Sequence, residues 1–257
     1  MTDLYVRTSG DPAAEPLLFL HGGGISSRMW MHELETLTEY HCLAPDLAGH
    51  GGSACVAPFT LADSVAGLDR LIEEHCDGKP VSLVAFSVGV VVALALVAEH
   101  PEKVKRLFLS GPTPDFGRMG TLTFNLLARP MLALMPTAQR TVLLTRSLNL
   151  TSEQTLLFAA DLHQLDLELV RQINGVVANQ PELGTSALPA LVTVGEREIG
   201  AVKKRAATLS QALPNGRGYT VPNVGHAWSL EAPVLFRRTI RGWMADGSLP
   251  DVLVSFT

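Results

Sequence analysis

The stretch VSLVAFSVGVVVALALVAEHP, residues Val81 to Pro101, decides how the rest of this chain is read. Val81, Leu83, Val84 and Phe86 place apolar groups on both faces of an extended segment, as a strand covered by helices on each side requires. After Gly89 an apolar run continues without an internal Pro or Gly, and it predicts a helix that ends by Pro101. Ser87 stands at the junction, with small Ala85 and Gly89 two residues to either side. A sharp strand-to-helix turn brings neighbouring backbones too close for larger side chains there. Such a turn lifts the serine hydroxyl out of the sheet toward solvent.

This junction resembles the nucleophile elbow of the α/β-hydrolase fold, G-x-S-x-G; here it is Ala85-Phe86-Ser87-Val88-Gly89, one methyl group away from the usual first residue. A serine between small residues at a strand end is also a common helix N-cap, so the rest of the chain has to choose between the two readings.

Upstream, Leu4 to Thr8 predicts an edge strand, and Pro16 to Leu20 a short buried strand that ends in His21-Gly22-Gly23-Gly24. Successive glycines leave backbone N–H groups unobstructed, which suits an anion or oxyanion. A strand from Tyr40 to Pro45 follows. The run Asp46-Leu47-Ala48-Gly49-His50-Gly51-Gly52-Ser53 then matches the D-x-x-G-x-G-x-S turn frequent in the hydrolase family, where a structural role is expected. A helix from Ala62 to about Cys76 carries Val65, Leu68, Leu71 and Ile72 at core-face spacing.

Downstream, Arg106 to Leu109 predicts a strand. From there to about Leu188 helical patterns, such as Leu156 to Leu169 and Leu169 to Val177, replace the alternation. It resumes with a strand at Ala190 to Val194, a helix at Val202 to Leu213, a strand at Gly218 to Val221 and a helix at Ala232 to Met244. The expected fold is α/β, with a mostly parallel, doubly wound sheet of the hydrolase type. Residues 1–112 and 189–257 form its core, and 113–188 form an inserted helical cap. The family's first strand has no counterpart before His21, so the tail from Leu249 to Thr257 is expected near the edge that this leaves exposed.

At 257 residues the chain is long enough for a substantial core. Apolar residues make up 47 % and charged residues 18 %, with a net charge of −5, which excludes a disordered chain and gives no basic surface for nucleic acid. The N-terminus lacks the features of a signal peptide, and the longest apolar run, Val88 to Ala98, is too short for a bilayer. Cys42, Cys55 and Cys76 have no metal-binding or disulfide spacing. The expectation is a cytoplasmic protein, either a monomer or a homodimer, without metal or cofactor and with no nucleic-acid or membrane partner.

Serine is a weak nucleophile without a base and an orienting acid. The resemblance implies both: the family's histidine follows the last strand in a G-H turn, here Gly225-His226, and its acid lies three residues past a glycine ending a strand, here Glu198 after Gly195. Asp115 and Glu196 are rivals for the acid. His21 and His50 belong to glycine turns, where a ring bonded to backbone is the simple explanation. The resemblance also implies that the oxyanion is held by the N–H groups of Val88 and Gly23, with Gly24 as fallback. Gly22, Gly24 and Trp30 are candidate substrate contacts, although Trp30 suits the core equally well. Apolar pairs such as Leu126-Leu127, Met131-Leu132, Leu134-Met135 and Leu143-Leu144 suggest a greasy pocket or simple cap packing. Arg118, Arg129, Arg140 and Arg146 would meet a substrate carboxylate or only solvent.

The resemblance implies a serine hydrolase cleaving an ester, or a related acyl bond, of a small and largely apolar substrate. Thioesterases, lactonases and carbon–carbon bond hydrolases share the triad. A ligand receptor on the same scaffold is a second class. A dinucleotide-binding oxidoreductase would need glycine where Ser27 stands and leaves the elbow and Gly225-His226 unexplained.

Overall fold

Strands buried on both faces build the middle of a single sheet, and a computed structural model gives its order. It describes residues 3–56, 58–114, 148–181 and 186–256, together with 134, 135, 139, 142, 143, 145 and 146. The strands are β1 (Val6–Ser9), β2 (Pro16–Leu20), β3 (His41–Pro45), β4 (Val81–Phe86), β5 (Val104–Ser110), β6 (Ala190–Gly195), β7 (Gly216–Val221) and β8 (Val254–Ser255). They lie in the order β1-β3-β2-β4-β5-β6-β7-β8. Only the two edge pairings, β1 on β3 and β7 on β8, are antiparallel.

The helices described are α1 (Met31–Thr36), α2 (Leu61–Cys76), α3 (Val88–Glu99), α4 (Ser152–Leu157), α5 (Ala159–Gln164), α6 (Leu167–Ala178), α7 (Gly200–Ala212), α8 (Trp228–Glu231) and α9 (Pro233–Ala245). Leu18, Leu20, Leu83, Ala85, Leu107 and Val192 face one layer, packed with α2, α3 and α7. Leu17, Phe19, Val84, Phe86, Phe108 and Leu191 face the other, packed with α1 and α9. Every residue of β4 is buried, so the central strand is apolar on both faces as its sequence requires. In α3 all residues from Val88 to Val97 are buried, which is why that helix shows no polar side.

Aromatic rings dominate the second layer. Phe236 stacks on Trp30 at 5.7 Å and on Phe108 at 5.2 Å, and meets Trp228 edge-on at 4.7 Å. Trp30 is thus a fully buried core residue and not a pocket wall.

The tail does not pack at the β1 edge. Val254 and Ser255 pair with Thr220 and Tyr219, at the opposite side of the sheet. Gly218 makes this docking possible: a Cβ there would sit 2.3 Å from the ring of Phe256, whose N–H donates to the Gly218 carbonyl at 3.0 Å. The helical pattern expected from Leu156 to Leu169 is also broken. Phe158 is fully buried between α4 and α5, and Asp166 caps α6 by accepting the Leu169 N–H at 2.7 Å. Asp115, Arg118, Arg129, Arg140 and the pairs at 126–127 and 131–132 lie outside the described residues. Arg146 is exposed.

Candidate active site

Ser87 leaves β4 with φ 54° and ψ −118°, a region that a side chain occupies at a cost of about 1–3 kcal/mol. The turn is held on both sides, by Ser87 N–H donating to the Ser110 carbonyl and Val90 N–H donating to the Ser87 carbonyl, each at 3.0 Å. Gly89 permits the close approach of β2: a Cβ there would lie 2.7 Å from the carbonyl oxygens of both Leu20 and His21. Sequence thus fixes the turn through one residue without a side chain, and the turn presents the hydroxyl.

His226 comes from the loop between β7 and α8. Its Nε2 lies 3.1 Å from Ser87 Oγ, and its ring rests on that of Phe86 at 4.8 Å. Glu198, three residues past the end of β6, brings Oε1 to 3.3 Å from His226 Nδ1. That contact falls short of hydrogen-bond alignment, since neither His226 Nδ1 nor Glu198 Oε2 has a partner although both are buried. The rival Glu196 is exposed and otherwise engaged: its Oε2 accepts the Asn223 N–H at 2.8 Å, bracing the loop that carries the histidine.

On the other side of Ser87, the N–H groups of Gly23 and Val88 donate to no acceptor among the described residues. Val88 opens α3, where the helix dipole favours negative charge. Ile173 of α6 packs over Gly23, 3.1 Å from where a Cβ would be, and Leu169 approaches Gly49 at 3.0 Å in the same sense. Gly22 lies against Phe86, while Gly24 is buried with φ +77°.

Two histidines near this loop are structural. His21 Nδ1 donates to the Gly22 carbonyl at 2.8 Å and its Nε2 accepts the Leu47 N–H at 2.9 Å. His50 Nδ1 donates to the Ala48 carbonyl at 2.9 Å. Burial holds His21 below the ordinary histidine range and pushes His50 down to about 3, so both rings stay neutral near neutral pH. Asp46 completes the brace by accepting the N–H groups of Ser27 and Gly52, each at 2.7 Å.

Two contributors were not read from the sequence. Glu231 of α8 accepts the Gly225 N–H at 2.8 Å and Asn149 Nδ2 at 2.9 Å, tying the histidine loop to the segment between β5 and β6. Asp161 of α5 is buried and accepts Ser26 Oγ at 2.6 Å, with Arg28 as a second donor. A signal existed for Asp161, because it shares the apolar face of Phe158 and Leu162. For Glu231 there was none.

These features define the class. The chain matches the alpha/beta hydrolase family over residues 17–239 and belongs to it. It is 27 % identical to an AB hydrolase superfamily protein of Gibberella zeae over 95 % of this chain and 84 % of that one. It is 26 % identical to a pimeloyl-[acyl-carrier protein] methyl ester esterase of Nitrosomonas europaea over 92 % of this chain and 97 % of that one. Its fold is that of a thermophilic esterase from Thermogutta terrifontis, with a TM-score of 0.80, 20 % identity, and coverage of 94 % of this chain and 92 % of that one. The protein is accordingly a carboxylesterase-like hydrolase. Among the described residues no helix is long and apolar enough to cross a membrane, and no group of three His, Cys, Asp or Glu could hold a metal ion.

Proposed function

We propose that the protein hydrolyses esters of small, largely apolar acids by a covalent route through Ser87, His226 and Glu198. The observation that carries this reading is the 3.1 Å contact between His226 Nε2 and Ser87 Oγ, made at a strained turn.

In the first step Ser87 Oγ attacks the carbonyl carbon as His226 Nε2 takes the hydroxyl proton. Charge develops on the carbonyl oxygen, where the N–H groups of Gly23 and Val88 would receive it; each such donor is worth about a hundredfold or more in rate. The intermediate collapses, and the imidazolium protonates the departing alcohol. Water then repeats the sequence on the acyl-serine, giving up a proton to His226 and releasing the acid. Glu198 keeps the Nδ1 proton on its own side of the ring, so that Nε2 is free to act as base.

Residues 113–188 act in this reading as a cap that supplies the apolar wall. Ile173 and Leu169 of α6, packed against the glycine loops, support that role. Kinship with a methyl ester esterase favours an ester over a thioester or lactone. Steady-state rates on p-nitrophenyl butyrate, butyryl thioester and γ-butyrolactone, measured beside Ser87→Ala, test the proposal. Ester cleavage should exceed the other two and fall roughly a thousandfold or more in the variant. Faster thioester or lactone cleavage would reassign the bond, and unchanged rates in the variant would remove the mechanism.

A further inference from the structure

His226 is carried by a loop, residues 222–227, that belongs to neither β7 nor α8. Backbone contacts to the end of β6 brace one part of it: the Arg197 N–H donates to the Val224 carbonyl at 2.9 Å, and a Cβ on Gly195 would collide with the Gly225 carbonyl. The peptide immediately before the histidine is held by a side chain instead. Glu231 Oε1 accepts the Gly225 N–H at 2.8 Å.

The other oxygen of the same carboxylate, Oε2, accepts Asn149 Nδ2 at 2.9 Å, from the helical segment between β5 and β6. Asn149 has φ 52°, in the left-handed region that asparagine enters more readily than most residues, and its neighbours Leu148 and Leu150 pack into the second core layer. A second tie from that segment, Gln154 Nε2 donating to the Leu230 carbonyl at 3.0 Å, grips α8 one residue earlier. The short helix is therefore held by the segment at two points, and it passes one of those holds to the peptide before His226. Little slack exists beyond it: Nε2 already stands 3.1 Å from Ser87 Oγ, so a displacement of a few tenths of an ångström takes the pair out of hydrogen-bond reach.

We propose that Glu231 is a positioning residue for the hydrolytic reaction, which sets His226 against Ser87 through the Gly225 peptide and makes that setting depend on the helical segment through Asn149. This rests on the reading of His226 as the base. The role is geometric, so an uncharged side chain of the same length performs it: the Oε1 of a glutamine accepts the Gly225 N–H, and the Asn149 amide can turn its oxygen toward the new Nε2.

Steady-state kinetics on p-nitrophenyl butyrate, referred to the folded fraction by circular dichroism, test the assignment. Glu231→Ala should lower kcat roughly 10- to 100-fold with KM within about twofold, and Glu231→Gln should restore kcat to within about threefold of the parent. Asn149→Gly keeps an exposed left-handed turn and removes only the amide, so it folds whatever becomes of Glu231→Ala, and it should lower kcat roughly three- to tenfold. The double variant should be no slower than Glu231→Ala alone, because both act on one connection. Parental kcat in Glu231→Ala or Asn149→Gly, a loss confined to KM, a glutamine variant as slow as the alanine, or losses that multiply in the double variant would overturn the proposal. His226→Ala measured alongside separates the two readings: parental activity there removes the base and this inference with it, whereas an inert His226→Ala beside a fully active Glu231→Ala removes this inference alone.

Discussion

Ser26 and Asp161 lie 135 positions apart in the chain and 2.6 Å apart in space, at the point where α5 meets the loop that follows the three glycines. Arg28 joins them in a pair whose carboxylate is almost wholly buried. Removing the buried carboxylate leaves the Ser26 hydroxyl dry with only the Arg28 N–H at 3.4 Å, while the partly exposed Arg28 guanidinium loses its partner. Asp161→Ala should therefore lower stability by about 2–4 kcal/mol in urea denaturation, and raise KM more than it lowers kcat as the helical segment loses its anchor. A variant as stable as the parent would show that the contact carries no weight.

The assignment of the acid rests on position more than on alignment, because Glu198 reaches His226 Nδ1 at 3.3 Å without a formed hydrogen bond. Glu198→Gln is predicted to cut kcat by roughly 10²- to 10⁴-fold with little change in KM. Glu196→Gln should leave kcat within about threefold and cost about 1 kcal/mol of stability, since it weakens only a bond to the Asn223 N–H. Steady-state kinetics on both variants decide the matter, and the reverse ranking would move the acid to Glu196.

Gly89 is the least replaceable small residue at the elbow. A methyl group there would stand 2.7 Å from two carbonyl oxygens of the β2 segment, and backbone cannot rotate away as a side chain can. Gly89→Ala should cost about 2–3 kcal/mol and displace Ser87, so kcat falls further than stability alone explains. An active variant of parental melting temperature would refute the close-packed elbow.

Glu33 predicts a pH signature. Its pKa rises from 4.5 in the unfolded chain to about 7 in the fold, chiefly through burial, opposed by a hydrogen bond from its own backbone and then by the charge of Arg237. Folded and unfolded states bind the proton equally below pH 4.5. Between 4.5 and 7 the unfolded chain releases it first, so this carboxyl makes stability fall as pH rises, by up to roughly 3 kcal/mol above pH 7. Denaturation midpoints of the parent and Glu33→Gln should therefore diverge from pH 5 to pH 8 in favour of the variant. Parallel profiles would mean that the carboxyl is solvated or paired.

Much of the core was legible because its signals are local. The apolar residues of Val81 to Phe86 and the unbroken run of α3 allow only a buried strand and a buried helix, and Pro16 to Leu20 matches β2 residue for residue. The three side chains gathered at the elbow were likewise marked by adjacent glycines, which turns require. What failed depended on distant partners. The tail chose the β7 edge because Gly218 leaves room for the Phe256 ring, and nothing within 249–257 encodes that. Trp30 went to the core because Phe19 and Phe236 flank it, a fact of packing and not of sequence spacing. Asp166 and Phe158 divided a pattern whose apolar spacing alone looked continuous.

The central claim is that Ser87 becomes covalently acylated with His226 as its base. Peptide mapping by mass spectrometry after treatment with diethyl p-nitrophenyl phosphate tests it most directly. One phosphoryl group is predicted on the peptide containing Ser87, with esterase activity lost in step and labelling slowed roughly a hundredfold or more in His226→Ala. Activity that persists with Ser87 fully modified, or a label on another residue, would contradict the account.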